Sequence, residues 1–327
     1  MKNLAKPFWL GFDLGATKMM AAVFGKDFKV LASVKAKTRG VEGSEEVLER
    51  IQATIADALR EAGLDASELG GIGVGSPGPL DLDRGVILHA PNLSWHDVPL
   101  KETLEKKFKC SAVIANDVDA GTYGEFRFGA GRGGRCVLGV FPGTGIGGAC
   151  VYEGRIFRGR TSSCMEIGHV RVQAEGRLCG CGQRGCLESV ASRLAISADA
   201  AAAVYRGEAP ALQALAGTDL ALIKSGMLAK AIKAGDSAIE SIVRAAARHI
   251  GSAVASAVNL LAPDIVVLGG GLVEALPDIV PGEIKKVICG QAMKAFTKDL
   301  KIAAAELGDN ATAMGAAALA ADAGEEP

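Results

Sequence analysis

Leu10-Gly-Phe-Asp-Leu-Gly-Ala-Thr-Lys-Met-Met-Ala-Ala-Val-Phe24 reads as a strand, a glycine turn and a second strand. The same pattern returns at Leu138-Gly-Val-Phe-Pro-Gly-Thr-Gly-Ile-Gly-Gly-Ala-Cys-Val-Tyr152, where Gly143 falls on Gly15 and Ala149 on Ala21. A segment repeated in this way marks an internal duplication, and so two lobes of one topology.

Around the first copy, residues 29–35 read as a third strand and Ser44 to Ala62 as an amphipathic helix, capped by Ser44 and stopped by Gly63. Residues 71–75 form a short buried strand that Ser76-Pro-Gly-Pro79 breaks. A helix over 100–108, a strand over 112–115 and a helix over 118–126 follow. Strands alternating with helices predict a layered α/β architecture. Beyond the second copy the chain is helix-rich over 192–259, with one long alanine-rich helix from near Asp236 that Pro263 ends. A strand over 264–268 runs into Gly269-Gly-Gly271, and a last helix over 311–321 is expected to pack back on the first lobe. Only the Glu-Glu-Pro tail reads as disordered.

The 327 residues are enough for two domains, and a net charge of −1 leaves no electrostatic footprint for nucleic acid or anionic membrane. No apolar run approaches a membrane span, and the stretch 8–12, cut off by Asp13, is too short for a signal peptide. The expectation is a cytoplasmic protein, in a reducing compartment where clustered cysteines are metal ligands more often than disulfides. Cys110, Cys136, Cys150, Cys164 and Cys289 lie outside the dense cluster and read as small core hydrophobes.

Three glycine-rich turns suit phosphate. In Asp13-Leu-Gly15-Ala-Thr17-Lys18, Gly15 lets main-chain N–H groups approach an anion, Thr17 and Lys18 add a hydroxyl and a charge, and Asp13 is placed to hold Mg²⁺ through water. Gly143-Thr144-Gly145 does the same from the other lobe, and Gly269-Gly270-Gly271 lets a nucleotide lie against backbone at a helix start. Each turn alone is more often only a hairpin, but their joint occurrence in a duplicated fold favours a nucleotide. No Walker loop is present, because no Gly-Lys-Ser/Thr opens a helix.

Asn116-Asp117 follows a strand at its carboxyl end, where open α/β sheets place ligand chemistry. Phosphoryl transfer to an alcohol needs a base for the hydroxyl proton, and Asp117 suits that task with Asn116 orienting a sugar. The competing reading makes Asp117 a helix N-cap. Cys179-Gly-Cys181-Gly-Gln-Arg-Gly-Cys186, with His169 ten residues upstream, has the spacing of one closed tetrahedral zinc site, structural because protein fills all four positions. Such a metal would fix His169 and, through it, Glu166 and Glu188, whose carboxylates can accept hydrogen bonds from vicinal sugar hydroxyls. Asn92 and Trp95, after Pro91, read either as sugar contacts or as turn and packing.

These motifs together resemble the ROK family of repressors and sugar kinases, and within it the bacterial glucokinase-like enzymes. The residues that carry the resemblance are Asp13 to Lys18, Gly73-Val-Gly-Ser-Pro-Gly78, Asn92-Leu-Ser-Trp95, Asn116-Asp117, Gly143 to Gly148, Glu166-Ile-Gly-His169, Cys179 to Glu188 and Gly308 to Ala317. The resemblance implies a two-lobed actin-like ATPase (ribonuclease H-like) fold, with sugar and ATP between the lobes. It implies Asp117 as general base, His169, Cys179, Cys181 and Cys186 on zinc, Asn92, Asn116, Glu166, His169 and Glu188 on the sugar, and a homodimer or homotetramer. On this reading the small lobe is residues 1–117 with 308–327, and the large lobe is 118–307. The implied activity is ATP-dependent hexose phosphorylation, with glucose the expected sugar and N-acetylmannosamine, N-acetylglucosamine, fructose or allose the alternatives. A sugar-responsive repressor is the reading from another class, and the nine residues ahead of the first strand are too few for a helix-turn-helix. Departures from the family pattern stand at Pro142, Cys164, Met165 and Thr312.

Overall fold

The computed structural model describes residues 8–39, 43–90, 93, 95–160 and 164–324. They form two compact units. The first holds the described residues up to Gly133, those from Arg155 to Cys164, and those from Glu306 onward; the second holds Gly134–Gly154 and Met165–Ala305.

The first unit opens with β1 (Phe8–Leu14), β2 (Lys18–Phe24), β3 (Val30–Lys37) and α1 (Ser44–Ala62). Next come β4 (Leu69–Ser76), a small sheet of β5 (Leu80–Asp81), β6 (Val86–Ala90) and β7 (Trp95–Val98), then α2 (Leu100–Phe108), β8 (Ala112–Asn116) and α3 (Asp117–Phe128). The second unit contributes β9 (Cys136–Pro142) and β10 (Ile146–Tyr152), after which β11 (Arg155–Ile156) belongs to the first unit. Back in the second unit lie α4 (Leu187–Ala191), α5 (Arg193–Tyr205), α6 (Pro210–Ala216), α7 (Ser225–Lys233) and α8 (Ser237–Leu261). It ends with β12 (Ile265–Leu268), α9 (Gly271–Ala275), α10 (Val280–Gln291), α11 (Lys294–Thr297) and β13 (Lys301–Ala304), and α12 (Ala311–Ala323) returns the chain to the first.

The duplication keeps its register. Strands β9 and β10 each begin 128 residues after β1 and β2, at 136 against 8 and at 146 against 18. The first sheet is ordered β3-β2-β1-β4-β8, with β1, β4 and β8 parallel and β2 antiparallel to its neighbours. In the second unit β10-β9-β12-β13 repeats the last four places with the same strand directions.

Helix α1 shows how local chemistry sets an element. Val47, Ile51, Ile55, Ala58 and Leu59 recur at helical spacing and are all buried, so one face packs and the other stays wet. Gly63 ends the helix in the left-handed region at φ 69°. The expected Ser44 cap is corrected: Gly43 is the N-cap and Ser44 the first helical residue, with no side-chain cap bond. Helix α12 lies on β1 and β4 because Gly11 and Gly73 have no side chains; a Cβ at either would collide with the α12 backbone at Ala313 or Ala316. Helix α3 packs on α12 and β4 within the first unit, so the expected border at Asp117 falls on that helix's first residue.

Each unit has its own core. Leu10, Phe12, Ile51, Ile72 and Trp95 belong to the first; Leu138, Ile196, Val243, Ile250 and Leu268 belong to the second. Trp95 is therefore packing, with a side chain 1% exposed. Cys110, Cys136 and Cys150 are buried as expected, whereas Cys164 is half-buried and Cys289 exposed. Cys289 sits on α10 one residue beyond the buried Ile288, on the face that the helical period turns to solvent. No helix among the described residues is long and apolar enough to cross a membrane.

Candidate active site

In the first unit the turn between β1 and β2 is closed by Gly15 N–H donating to Lys18 O at 3.1 Å. Thr38, fully buried at the end of β3, braces it: its N–H donates to Thr17 O at 3.0 Å and its hydroxyl to Gly15 O at 2.6 Å. The side chains of Thr17 and Lys18 stay exposed. Asp13, Lys18, Met19, Met20, Lys35 and Asp309 line one pocket here. Asp309 receives Lys35 Nζ at 2.6 Å and Lys18 Nζ at 3.6 Å, and the Lys35 hydrogen bond holds its carboxyl below the usual range. Asp13 goes the other way. Burial, then the negative charge of Asp117, push it up to about 7, Asp309 adds to the rise, and Lys18 opposes it. A half-buried carboxylate destabilised by two others is relieved by a divalent cation, so Asp13 fits the Mg²⁺ role on chemistry as well as on place.

Asn116 ends β8 and Asp117 begins α3. Asn116, not Asp117, is the N-cap; its Oδ1 accepts from Val118 N at 2.9 Å and from Asp119 N at 3.2 Å. Extended backbone at Asn116 (φ −64°, ψ 145°) is what a cap requires, and Asn is as good a cap as Asp. Asp117 Oδ1 also accepts from Val118 N, at 2.9 Å, which fixes the carboxylate at the strand end. The competing cap reading thus passes to the neighbour.

In the second unit the turn between β9 and β10 is closed by Gly143 N–H donating to Gly145 O at 2.8 Å. Glu188, in the first turn of α4 just after the cysteine knuckle, supports it: Oε2 accepts from Ile146 N at 2.8 Å, and any side chain at Gly145 would collide with that carboxylate. The expected sugar ligand is also a brace of the turn. Of the third glycine run, Gly269 is required by the Phe141 ring and Gly270 by its φ of 82° beside Pro142 O; Gly271 opens α9 with space around it.

The knuckle needs glycine where the chain reverses, with φ 85° at Gly182 and 76° at Gly185. Gly185 O accepts from Val172 N at 2.8 Å, and Leu187 N donates to Val170 O at 2.8 Å, so the loop is pinned to the segment after His169. His169 and Cys179, Cys181 and Cys186 place one ligand atom each within 4.8 Å of one another. Tetrahedral zinc with Zn–S near 2.3 Å and Zn–N near 2.05 Å sets edges of about 3.8 Å between sulfurs and about 3.6 Å from sulfur to nitrogen. Cys181 Sγ to Cys186 Sγ is 3.7 Å, and Cys179 Sγ to His169 Nδ1 is 3.6 Å. The residues fit the ion. Burial, with the sulfurs of Cys181 and Cys179, pushes the Cys186 thiol up to about 11, so metal uptake there must displace protons. Glu166 is exposed just ahead of the one-turn helix Ile167–His169, and its carbonyl accepts from His169 N at 2.9 Å. Met165 holds φ 59° and packs on the second core.

The structure therefore gathers Asp13, Lys18, Asn116 and Asp117 in the first unit, and Glu166, His169, Glu188 and the three cysteines in the second. Asn92 lies outside the described residues. Thr38 and Lys35 escape a reading of motifs, and Asp309, inside the Gly308 to Ala317 motif, is given no role by it; Lys35 and Asp309 are 274 residues apart, and no local signal joins them.

The ROK family pattern matches residues 9–323. This chain belongs to the ROK family. The ROK chain is 33% identical to a glucokinase of Thermotoga maritima over 311 residues, 95% of this chain and 96% of that one. It is 32% identical to the transcriptional regulator NagC of Escherichia coli over 95% of this chain and 74% of NagC. Among solved structures it is similar to a ROK glucokinase from Streptomyces griseus in complex with glucose and AMPPNP, with a TM-score of 0.82, 32% identity and coverage of 96% and 99% of the two chains. The fold is that of the actin-like ATPases, as expected.

Proposed function

We propose that this ROK protein is an ATP-dependent hexose kinase that phosphorylates the 6-hydroxyl of glucose, with Asp117 as general base. The observation that carries the reading is Asp117 itself: a carboxylate fixed at the carboxyl end of β8, while Asn116 serves as the N-cap of α3. In this mechanism Asp117 takes the proton of the sugar hydroxyl as oxygen bonds to the γ-phosphorus and ADP leaves. Lys18 and the backbone of the Gly15 and Gly143 turns bind the phosphates. Mg²⁺, held on the Asp13 side, would neutralise charge on them. Glu166, Glu188, His169, Asn116 and Asn92 orient the sugar hydroxyls. Zinc on His169, Cys179, Cys181 and Cys186 would keep those second-unit groups in place and take no part in the chemistry.

The glucokinase relatives at 31–33% identity support glucose as the sugar. A second reading, a sugar sensor without turnover, is favoured by the NagC likeness. Coupled ADP release with Mg-ATP over a panel of hexoses separates them. Release with glucose, lost in Asp117→Asn, supports the kinase; release with another hexose alone moves the substrate. Sugar binding without release for any hexose supports the sensor.

A further inference from the structure

The second glycine turn, from Gly143 to Gly148, contains no charged residue, yet the proposed function gives it phosphates to hold. The first turn has Lys18 for that purpose. In the second unit a cation comes from outside the turn. Arg193 opens α5, behind the N-cap Ser192, and is attached to the turn at two points. Its backbone N–H donates to Gly143 O at 2.9 Å, and its guanidinium Nη2 donates to Thr144 Oγ1 at 3.1 Å. A side chain held at both its root and its tip is positioned, unlike a solvated surface arginine.

The charge is also unspent. Arg127, Arg135, Arg158, Arg177, Arg206 and Arg244 each meet a carboxylate at 2.5–3.1 Å. Arg193 has no ion pair among the described residues, and the carboxylate beside the same turn, Glu188, faces Ile146 N instead. A guanidinium carries five donors in a planar fork that matches phosphate oxygens, and one bond to a neutral hydroxyl uses little of it. Exchanging that hydroxyl for phosphate oxygens replaces a neutral acceptor with charged ones, whose bonds are about twice as strong.

We propose that Arg193 is the phosphate-binding cation of the second glycine turn, engaging the terminal phosphates of a nucleoside triphosphate. This deepens the kinase reading and rests on it. Thr144 acts as its parking place in the free protein, holding the fork beside the turn until phosphate arrives.

The test is calorimetric binding, with Mg²⁺, of AMPPNP, inorganic tripolyphosphate and AMP to the full chain and to Arg193→Met and Arg193→Lys. The expected result is a loss of about tenfold or more for AMPPNP and tripolyphosphate in Arg193→Met, with AMP changed less than about twofold. Arg193→Lys keeps the charge without the fork and recovers part of the affinity, and it serves as the probe should the Met variant fold poorly. Unchanged AMPPNP and tripolyphosphate binding in Arg193→Met overturns the proposal, and so does an equal loss for AMP, which marks a mere staple of the loop. Sugar turnover with normal triphosphate affinity in Arg193→Met sinks this inference and leaves the kinase standing. Arg193-dependent tripolyphosphate binding in a chain that phosphorylates no sugar does the reverse, and a wild type that binds neither probe removes both.

Discussion

The turns at Gly15 and Gly143 are copies in backbone and opposites in chemistry. Both join antiparallel strands at the same register, 128 residues apart. The first is set among charges, with Asp13, Lys18, Lys35 and Asp309 around it, and a neutral threonine, Thr38, braces its backbone. The second is neutral, and charged side chains, Glu188 and Arg193, brace it from α4 and α5. Duplication preserved what the strands dictate and left each loop to acquire its charge from different neighbours. A repeat in sequence thus predicts a repeat in topology, not in the identity of the groups that act.

Metal removal should separate the two most sharply. Glu188 follows Cys186 by two residues, so stripping the ion is expected to loosen the second turn and lower the unfolding temperature by about 10 °C or more. Hydrogen exchange should rise at Gly143 to Ile146 and stay slow at Gly15 to Lys18. Equal change at both turns would show that the metal does not brace the second one in particular.

Asp13→Asn probes the charged turn. Its folded pKa, about 7, lies above the unfolded value of 3.8, so ionising Asp13 destabilises the fold progressively as pH rises from about 4 to about 7. The Asn variant should be more stable than wild type near pH 8, by up to about 4 kcal/mol as an upper bound, with the gain gone near pH 4. Urea midpoints at the two pH values check this, and a variant no more stable at pH 8 refutes it. For the same reason Mg²⁺ affinity of wild type should fall as pH drops below about 7.

Smaller effects sharpen the contrast. Glu188→Ala leaves Ile146 N–H without its acceptor and should lower stability by about 2 kcal/mol, whereas Glu188→Gln keeps an acceptor and loses less. Thr38→Val removes one bond to Gly15 O and should cost about 1 kcal/mol. Denaturant titration ranks the three; a Thr38 loss larger than that of Glu188→Ala would reverse the assignment of which turn depends more on its brace.

Much of this architecture is legible in the amino-acid sequence. Helices α1 and α2 lie where the helical period places them, and Gly63 ends α1, because those signals lie within one turn of the boundary. The His-and-cysteine cluster is legible because its residues lie within 18 positions, from His169 to Cys186, and chain spacing nearly determines which atoms can meet. The features that spacing does not reveal depend on three-dimensional neighbours. Whether Asn116 or Asp117 caps α3 turns on one residue's backbone angles, and Asn and Asp are equally good caps. Gly269 and Gly270 resemble a phosphate turn in sequence, but the ring of Phe141, far off in the chain, explains the first and a positive φ the second. Lys35 and Asp309 meet only because α12 returns to the first unit.

On the proposed function, Asp117, held at the carboxyl end of β8 beside the cap residue Asn116, serves as the base. The most direct measurement is ADP release by Asp117→Asn beside wild type, with glucose affinity measured by calorimetry on both. Turnover should be lower by about two orders of magnitude or more, with glucose affinity within about threefold of wild type. Turnover close to that of wild type would contradict it and remove Asp117 from the chemistry.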